Sequence, residues 1–516
     1  MVHMKHAPWF IGIDLGTGSC KSVVVDEKAR VLGFGVGPYS GAGIEERWQE
    51  QDPQNLLAAT LGSVRAALDQ AGVPPGDCAG LSIGGALHSV MALDRSGNPL
   101  TGVITWADGR AVHQSQAVRK TSMAGRLYHE TGCPAHGMYP LYKIIWLREE
   151  RPDVFRQASR FLSAKEYVFS RLTGDYMVDY CLAAGSGLLN THSLQWNEPS
   201  LELAGIREDQ LSPLCPPLTI HRGLHPDLAG QMGIPQDTPV VLGSSDAANS
   251  SLGAGAAFPW QATCMVGTSG ALRVVSPRPV LDGRARNWCY AIDEKHWLVG
   301  GAINNGGVAL SWLKEFLNQA FPDLLPEARF SFEDMLELAA RGGTGAGGVI
   351  CLPFFAGERS PNWNLNARAV FFGMTLKHDA RHLAQALLEG IAFRFRSLNE
   401  MLIEIGFDAR QIIGSGGFTQ SEYWLQVMAS ALNRELTVPA WGETSSLGAA
   451  FWAMLAAGLG KDLEAVADWV SPGNPYRPIP DHAAIYDRLY PLYVRLYQAV
   501  EDAFDGVAEF QEEMGI

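Results

Sequence analysis

At 516 residues the chain is longer than one ordinary core can use, so two large domains are expected. A hydrophobic fraction of 47% and a charged fraction of 18% exclude an intrinsically disordered chain. The formal charge of −14 excludes a general nucleic-acid binder, which needs a basic surface, so an anionic ligand must be held by local cations or backbone N–H groups.

In chain order, residues 1–8, with His3 and His6, read as a ragged leader without an apolar signal core. The first element spans residues 9–26: an apolar strand at 10–13, a turn of Asp14, Leu15, Gly16, Thr17, Gly18 and Ser19, and a second strand at 21–25. Gly16 and Gly18 let a phosphate approach the backbone, and successive N–H groups in such a turn form an anion-binding concavity. Thr17 and Ser19 add hydroxyl donors, Lys21 adds a cation, and Asp14 ends the strand where Mg²⁺ on a nucleotide would sit. An ordinary glycine-rich hairpin with one surface Asp has the same pattern. The stretch is neither a Walker loop nor a Rossmann fingerprint, because no GK[ST] closes it and a strand follows where those motifs need a helix.

Residues 31–39 predict a third strand, and Pro53 opens a helix over 54–71 with Asp52 as its N-cap. A short buried strand is expected at 80–84 and a hairpin at 90–98. Helices are expected on or near 141–150, 166–172 and 209–211, with a proline-rich loop at 213–217. An apolar strand at 238–243 runs into Ser244, Ser245 and Asp246. The domain boundary is placed after Gly253, giving units 9–253 and 254–516. Residues 262–276 repeat the opening pattern around the turn Gly267, Thr268, Ser269 and Gly270. Two such hairpins suggest two related halves facing each other across a nucleotide. Beyond them the pattern predicts a helix at 306–317, a strand at 349–353, a helix at 382–405 and a strand running into Gly414, Ser415, Gly416 and Gly417. A helix follows at 422–432, and the small residues of 445–459 predict a closely packed one. The eight cysteines form no CxxC pair or zinc-spaced cluster, the pattern of reduced thiols in a cytoplasmic protein. No run nears the ~18 apolar residues of a membrane span, so no membrane partner is expected.

The paired hairpins resemble those of the actin-like, ribonuclease-H-like ATPase superfamily. The run 138–150, MYPLYKIIWLREE, resembles the first signature of the FGGY carbohydrate kinases. Residues 369–374 with His382, Leu383 and 386–389 resemble the second, departing from it at Leu387. The resemblance extends over about residues 10–458. It implies a two-domain α/β actin-like fold, ATP and Mg²⁺ as cofactors, and phosphoryl transfer to the terminal hydroxyl of a sugar or polyol. On this resemblance Asp246 is the general base, a role compatible with helix capping, and Asp14 acts on Mg²⁺. Gly16, Thr17, Gly18, Ser19, Lys21, Gly267, Thr268, Ser269, Gly306 and Gly307 surround the phosphates. Gly414, Gly416 and Gly417 face adenine and ribose, and Ser421 stands where relatives carry Asn.

The same resemblance puts the sugar beside His88, Trp106, Asp108, Arg110, Met138, Lys143 and Arg359, with 48–53 as an entry loop. For His88 a structural role stands level with a ligand contact. Segments 50–53, 88–89, 179–183, 357–363 and 416–418 look more like gluconate kinases than xylulose kinases. Gluconate needs a cation for its carboxylate, and Arg110, Lys143 and Arg359 are the candidates. A catalytically silent sugar or nucleotide sensor is the alternative class, opposed by the joint presence of Asp14, Thr268 and Asp246. Oligomeric state stays open, a homodimer included.

Overall fold

The computed structural model describes residues 7–39, 49–320 and 329–515. Most of the expected leader, residues 1–6, and Trp48 of the entry loop lie outside the described residues.

Alternation along the strand Trp9–Leu15 sets the architecture. Trp9, Ile11, Ile13 and Leu15 are buried in a core shared with Leu56 and Val64 of the helix Pro53–Ala71. Phe10, with Val23 and Val25 of the next strand, is buried in a larger core that includes Leu447, Ala450 and Met454 of the helix Thr444–Ala456. A strand buried on both faces needs a layer on each. Here one layer follows closely in sequence and the other comes from the far end of the chain.

The first sheet runs Ile220–His221, Val240–Val241, Cys78–Gly85, Trp9–Leu15, Ser19–Asp26, Val31–Pro38. The second runs Trp288–Ala291, Trp297–Ile303, Gly270–Ser276, Gln261–Val266, Gln411–Ser415, Leu436–Thr437, Pro475–Tyr476. Each begins from a hairpin strand that pairs antiparallel with its partner, and that partner pairs antiparallel with a third strand. On its other side each hairpin strand pairs parallel with a strand that pairs parallel with the next, which ends against an antiparallel edge strand. The two halves therefore share one plan, and their two glycine turns occupy matching places.

Helix Thr444–Ala456 is pressed between strand and helix backbones. A Cβ on Gly12 would lie 2.0 Å from Ser446 O, and one on Gly448 would lie 1.9 Å from Asn249 O in the helix Asp246–Gly253. Only glycine permits this spacing, which accounts for the small-residue pattern read from the sequence.

Several elements differ from expectation. Only Val240–Val241 of the 238–243 segment joins the sheet, and within 213–217 Leu214–Cys215 pairs with Val178–Asp179. At 90–98 the turn closes as expected, but Met91–Leu93 also pairs with Arg160–Leu162. The helix Pro480–Glu513 was not foreseen, because Pro491 reads as a helix breaker although the helix runs through it, and its buried stripe is largely tyrosine: Tyr486, Tyr490, Tyr493 and Tyr497. All eight cysteines are free thiols. No helix among the described residues is long and apolar enough to cross a membrane.

Candidate active site

Ser245, not Asp246, caps the helix Asp246–Gly253: its Oγ accepts from Ala248 N at 3.1 Å. Asp246 takes the first helical position, and its Oδ1 accepts from Ala247 N at 2.7 Å and Leu87 N at 3.2 Å. Burial raises its pKa, opposed by the charge of Arg273 and by these N–H groups. The turn before it rests on a buried ion pair that the sequence reading did not single out. Lys165 Nζ lies 2.7 Å from Asp179 Oδ2 and donates to Ser244 O at 3.3 Å. Asp179 Oδ1 accepts from Cys181 N and Leu182 N, and Cys181 Sγ lies 3.0 Å from Ser245 Oγ.

Asp14 lies on the Phe10 face of its strand and pairs across the hairpin with Lys21. It is 8% exposed, and its Oδ1 is buried without a partner. Burial, then the charge of Asp246, push its pKa up to about 7. An unpartnered buried carboxylate oxygen near a second carboxylate suits a hard divalent cation, so these residues fit Mg²⁺. Among the described residues no group of three or more His, Cys, Asp or Glu offers an all-protein metal site. Lys21 Nζ lies 2.6 Å from Glu443 Oε2, just ahead of helix Thr444–Ala456, so the expected phosphate cation is tied to the other half of the chain.

Each turn closes through its first glycine, the second turn being one residue shorter. Gly16 N donates to Ser19 O at 3.1 Å, and Gly267 N donates to Ser269 O at 2.9 Å. Gly18 completes the first turn ahead of the strand Ser19–Asp26. Thr17 Oγ1 accepts from Trp106 Nε1 at 2.9 Å, joining the first turn to the sugar side. Gly306 N and Gly307 N donate to Thr268 O and Gly267 O, so this pair seats the second turn at the start of the helix Gly307–Ala320. Gly416 has φ +91°, and a Cβ there would lie 2.5 Å from Val266 O, so the strand–turn geometry itself demands glycine. Gly414 packs on Phe418 and Leu436, whereas Gly417 has open space where a side chain would be. Ser421 Oγ accepts from Trp424 N and caps the helix Glu422–Leu432.

A cavity of about 300 Å³ brings together Trp106, Asp108, Met138, Thr268 and Arg359, with His136 also in its wall. His88 is not among its lining residues. His88 Nδ1 lies 2.6 Å from Gly185 O, its ring packs edge-on against Tyr139 and Tyr290, and burial pushes its pKa down to about 3. Asp108, expected as an acceptor for sugar hydroxyls, is instead bound bidentately by Arg110, with Nε and Nη2 each 2.7 Å away. Arg110 Nη1 lies 2.7 Å from Glu50 Oε1, so this candidate carboxylate reader already holds two carboxylates. Lys143 is fully buried and its Nζ donates to His88 O at 2.7 Å and Thr105 O at 2.6 Å, a brace between segments. Burial pushes its pKa down to about 7. Arg359 donates from Nη2 to Ile303 O at 2.9 Å and lies 5.3 Å from the Trp106 ring centroid, and its buried Nε has no partner.

Residues 9–253 match the N-terminal domain of the FGGY family of carbohydrate kinases, and residues 262–457 match its C-terminal domain. The chain belongs to the FGGY family of carbohydrate kinases. It is an ATP-dependent sugar kinase with the family's two-domain α/β fold. This FGGY chain is 34% identical over 508 residues to a gluconokinase of Bacillus licheniformis, covering 98% of this chain and 99% of that one. A xylulose kinase of Escherichia coli is 28% identical over 495 residues, covering 95% and 98%. The crystal structure of gluconate kinase from Lactobacillus acidophilus superposes with a TM-score of 0.91 at 31% identity, covering 97% of this chain and 100% of that one. In this FGGY kinase the first signature folds as the largely buried helix Pro140–Glu150, and Leu387 of the second is fully buried in the helix Ala380–Glu404.

Proposed function

We propose that this kinase transfers the γ-phosphoryl group of ATP to the terminal hydroxyl of gluconate, giving 6-phosphogluconate. The observation that carries this reading is Arg359. Of the three cations weighed for the sugar carboxylate, it alone lines the cavity beside Trp106 and Met138 and keeps a donor without a partner. Burying a carboxylate with no cation would be costly. Similarity to the gluconokinase of Bacillus licheniformis supports the same reading.

In this mechanism Asp246 accepts the proton of the attacking hydroxyl as the O–P bond forms. Its bonds from Leu87 N and Ala247 N hold the carboxylate in one orientation. The N–H groups of the 16–19 and 267–269 turns other than those of Gly16 and Gly267, which close the turns, would stabilise charge on the transferring group. Mg²⁺, when bound, neutralises phosphate charge, and Asp14 would hold it, directly or through water. Gly417 leaves room for the adenosine beside the turn that Gly414 and Gly416 shape. Residues 9–253 and 254–516 act as the two halves of the cleft, and closure excludes water.

Similarity to xylulose kinases, including one from Lactobacillus acidophilus at a TM-score of 0.90, supports D-xylulose as the second reading. Coupled ADP-release kinetics on both sugars test the assignment. The expected result is a higher kcat/KM on gluconate, with Arg359→Gln hurting gluconate more than D-xylulose. A clear preference of the wild type for D-xylulose overturns it.

A further inference from the structure

Two residues that line the sugar-side cavity each carry a buried N–H without an acceptor, and they come from distant parts of the chain. One is Arg359 Nε and the other is His136 Nε2. His136 precedes the helix Pro140–Glu150 and is 9% exposed. Its Nδ1 accepts from Met138 N at 3.1 Å, so in the neutral ring the proton sits on Nε2. Burial, then the charge of Arg359, push the His136 pKa down to about 3, which keeps the ring neutral near pH 7. The ring also packs on Trp363, at 5.5 Å between centroids, which limits its freedom to turn away.

A buried donor without an acceptor is unfavourable and rare. Two of them on residues of one cavity suit a ligand group that offers two acceptors. A carboxylate does this, and a neutral ketose carbonyl does so less well. We propose that His136 and Arg359 together read the carboxylate of the sugar acid, Arg359 as the charged donor and His136 as a neutral second donor. This rests on the gluconate reading given above. His136 would then act in specificity: a substrate without the carboxylate leaves its N–H unpaired and is discriminated against on that ground.

The test measures kcat and KM on gluconate and on D-xylulose for the wild type, His136→Asn and His136→Gln. An Asn side chain can keep the acceptor for Met138 N but falls short of the Nε2 position, whereas a Gln amide reaches it. His136→Asn is expected to lower the gluconate-to-xylulose ratio of kcat/KM by roughly tenfold or more, mainly through KM, and His136→Gln to recover most of the loss. The ratio is independent of the folded fraction, so it decides even if a variant is less stable. An unchanged ratio in His136→Asn, or equal losses in the Asn and Gln variants, overturns the role of His136 and leaves the gluconate reading standing. A wild type that prefers D-xylulose overturns the gluconate reading itself, before any variant is assayed, and this inference with it.

Discussion

Asp246 sits close enough to Asp14 to raise its cost of ionisation, on top of burial, and that has a measurable sign. Asp14 keeps its proton in the free protein up to about pH 7, whereas an unfolded Asp titrates at about 3.9. Between those values the folded chain binds more protons than the unfolded one. The stability from this group is therefore full below about pH 4 and is lost as the pH rises to about 7, by about 1.4 kcal/mol for each pH unit crossed. Asp14→Asn should flatten the fall of Tm over that window and abolish the additional rise that Mg²⁺ gives over nucleotide alone. Thermal denaturation across pH, with and without Mg²⁺, checks both. Asp246→Asn should keep the fold and ATP binding while the rate of phosphoryl transfer falls by roughly 10² to 10⁴. Asp179→Asn, which weakens the pair under the Ser244–Ser245 turn, should lower kcat more than it raises KM and should shift the acid limb of the pH–rate profile, because it moves the base rather than the sugar. Asp14 was singled out in the sequence by its strand-and-turn setting and Asp246 by the resemblance to the FGGY kinases, and the fold brings the two carboxylates within electrostatic reach of each other. The fates of Arg110 and Lys143 were less so. The Asp108–Arg110 fork could have been suspected from its spacing, but Lys143 braces carbonyls of His88 and Thr105 that only the fold brings to it. His136 carried no signal, since the role proposed for it rests on a tautomer fixed by Met138 N and on burial.

At the scale of elements, the helices Asp246–Gly253 and Thr444–Ala456 cross at a glycine on each, Gly253 and Gly448. Gly448→Ala would set a methyl group against Asn249 O, with backbone rather than a flexible side chain in its way. The expected cost is ~1–3 kcal/mol, the range for overpacking a close-packed site. It should appear as a lowered denaturation midpoint, together with reduced activity because Asp246 opens the displaced helix. A variant with wild-type stability would mean that the crossing relaxes freely. Amphipathic periodicity made most long helices readable, and glycine turns made both hairpins readable. The strand Trp297–Ile303 escaped because Gly300 and Gly301 in its middle read as a turn.

At the scale of the whole molecule, one turn on each half and a Lys21–Glu443 bridge between them describe a cleft that a nucleotide would span. A bridging ligand favours the closed arrangement by its extra contacts there. Small-angle scattering with gluconate and a non-hydrolysable ATP analogue should show a more compact particle than the free protein, and an unchanged curve at saturation would count against a hinge. The duplicated plan was legible as two hairpins, but not the exchange by which a helix from the second half covers the first half's strands. That exchange has a consequence during synthesis. The Phe10 face of the first sheet has to wait for residues 444–456 to leave the ribosome, which at ~5–20 residues per second is a delay of roughly 20 to 90 seconds after strand Trp9–Leu15 has been made. For that time Phe10, Val23 and Val25 lack their final cover. A ribosome stalled before residue 444 would present that apolar face to its surroundings.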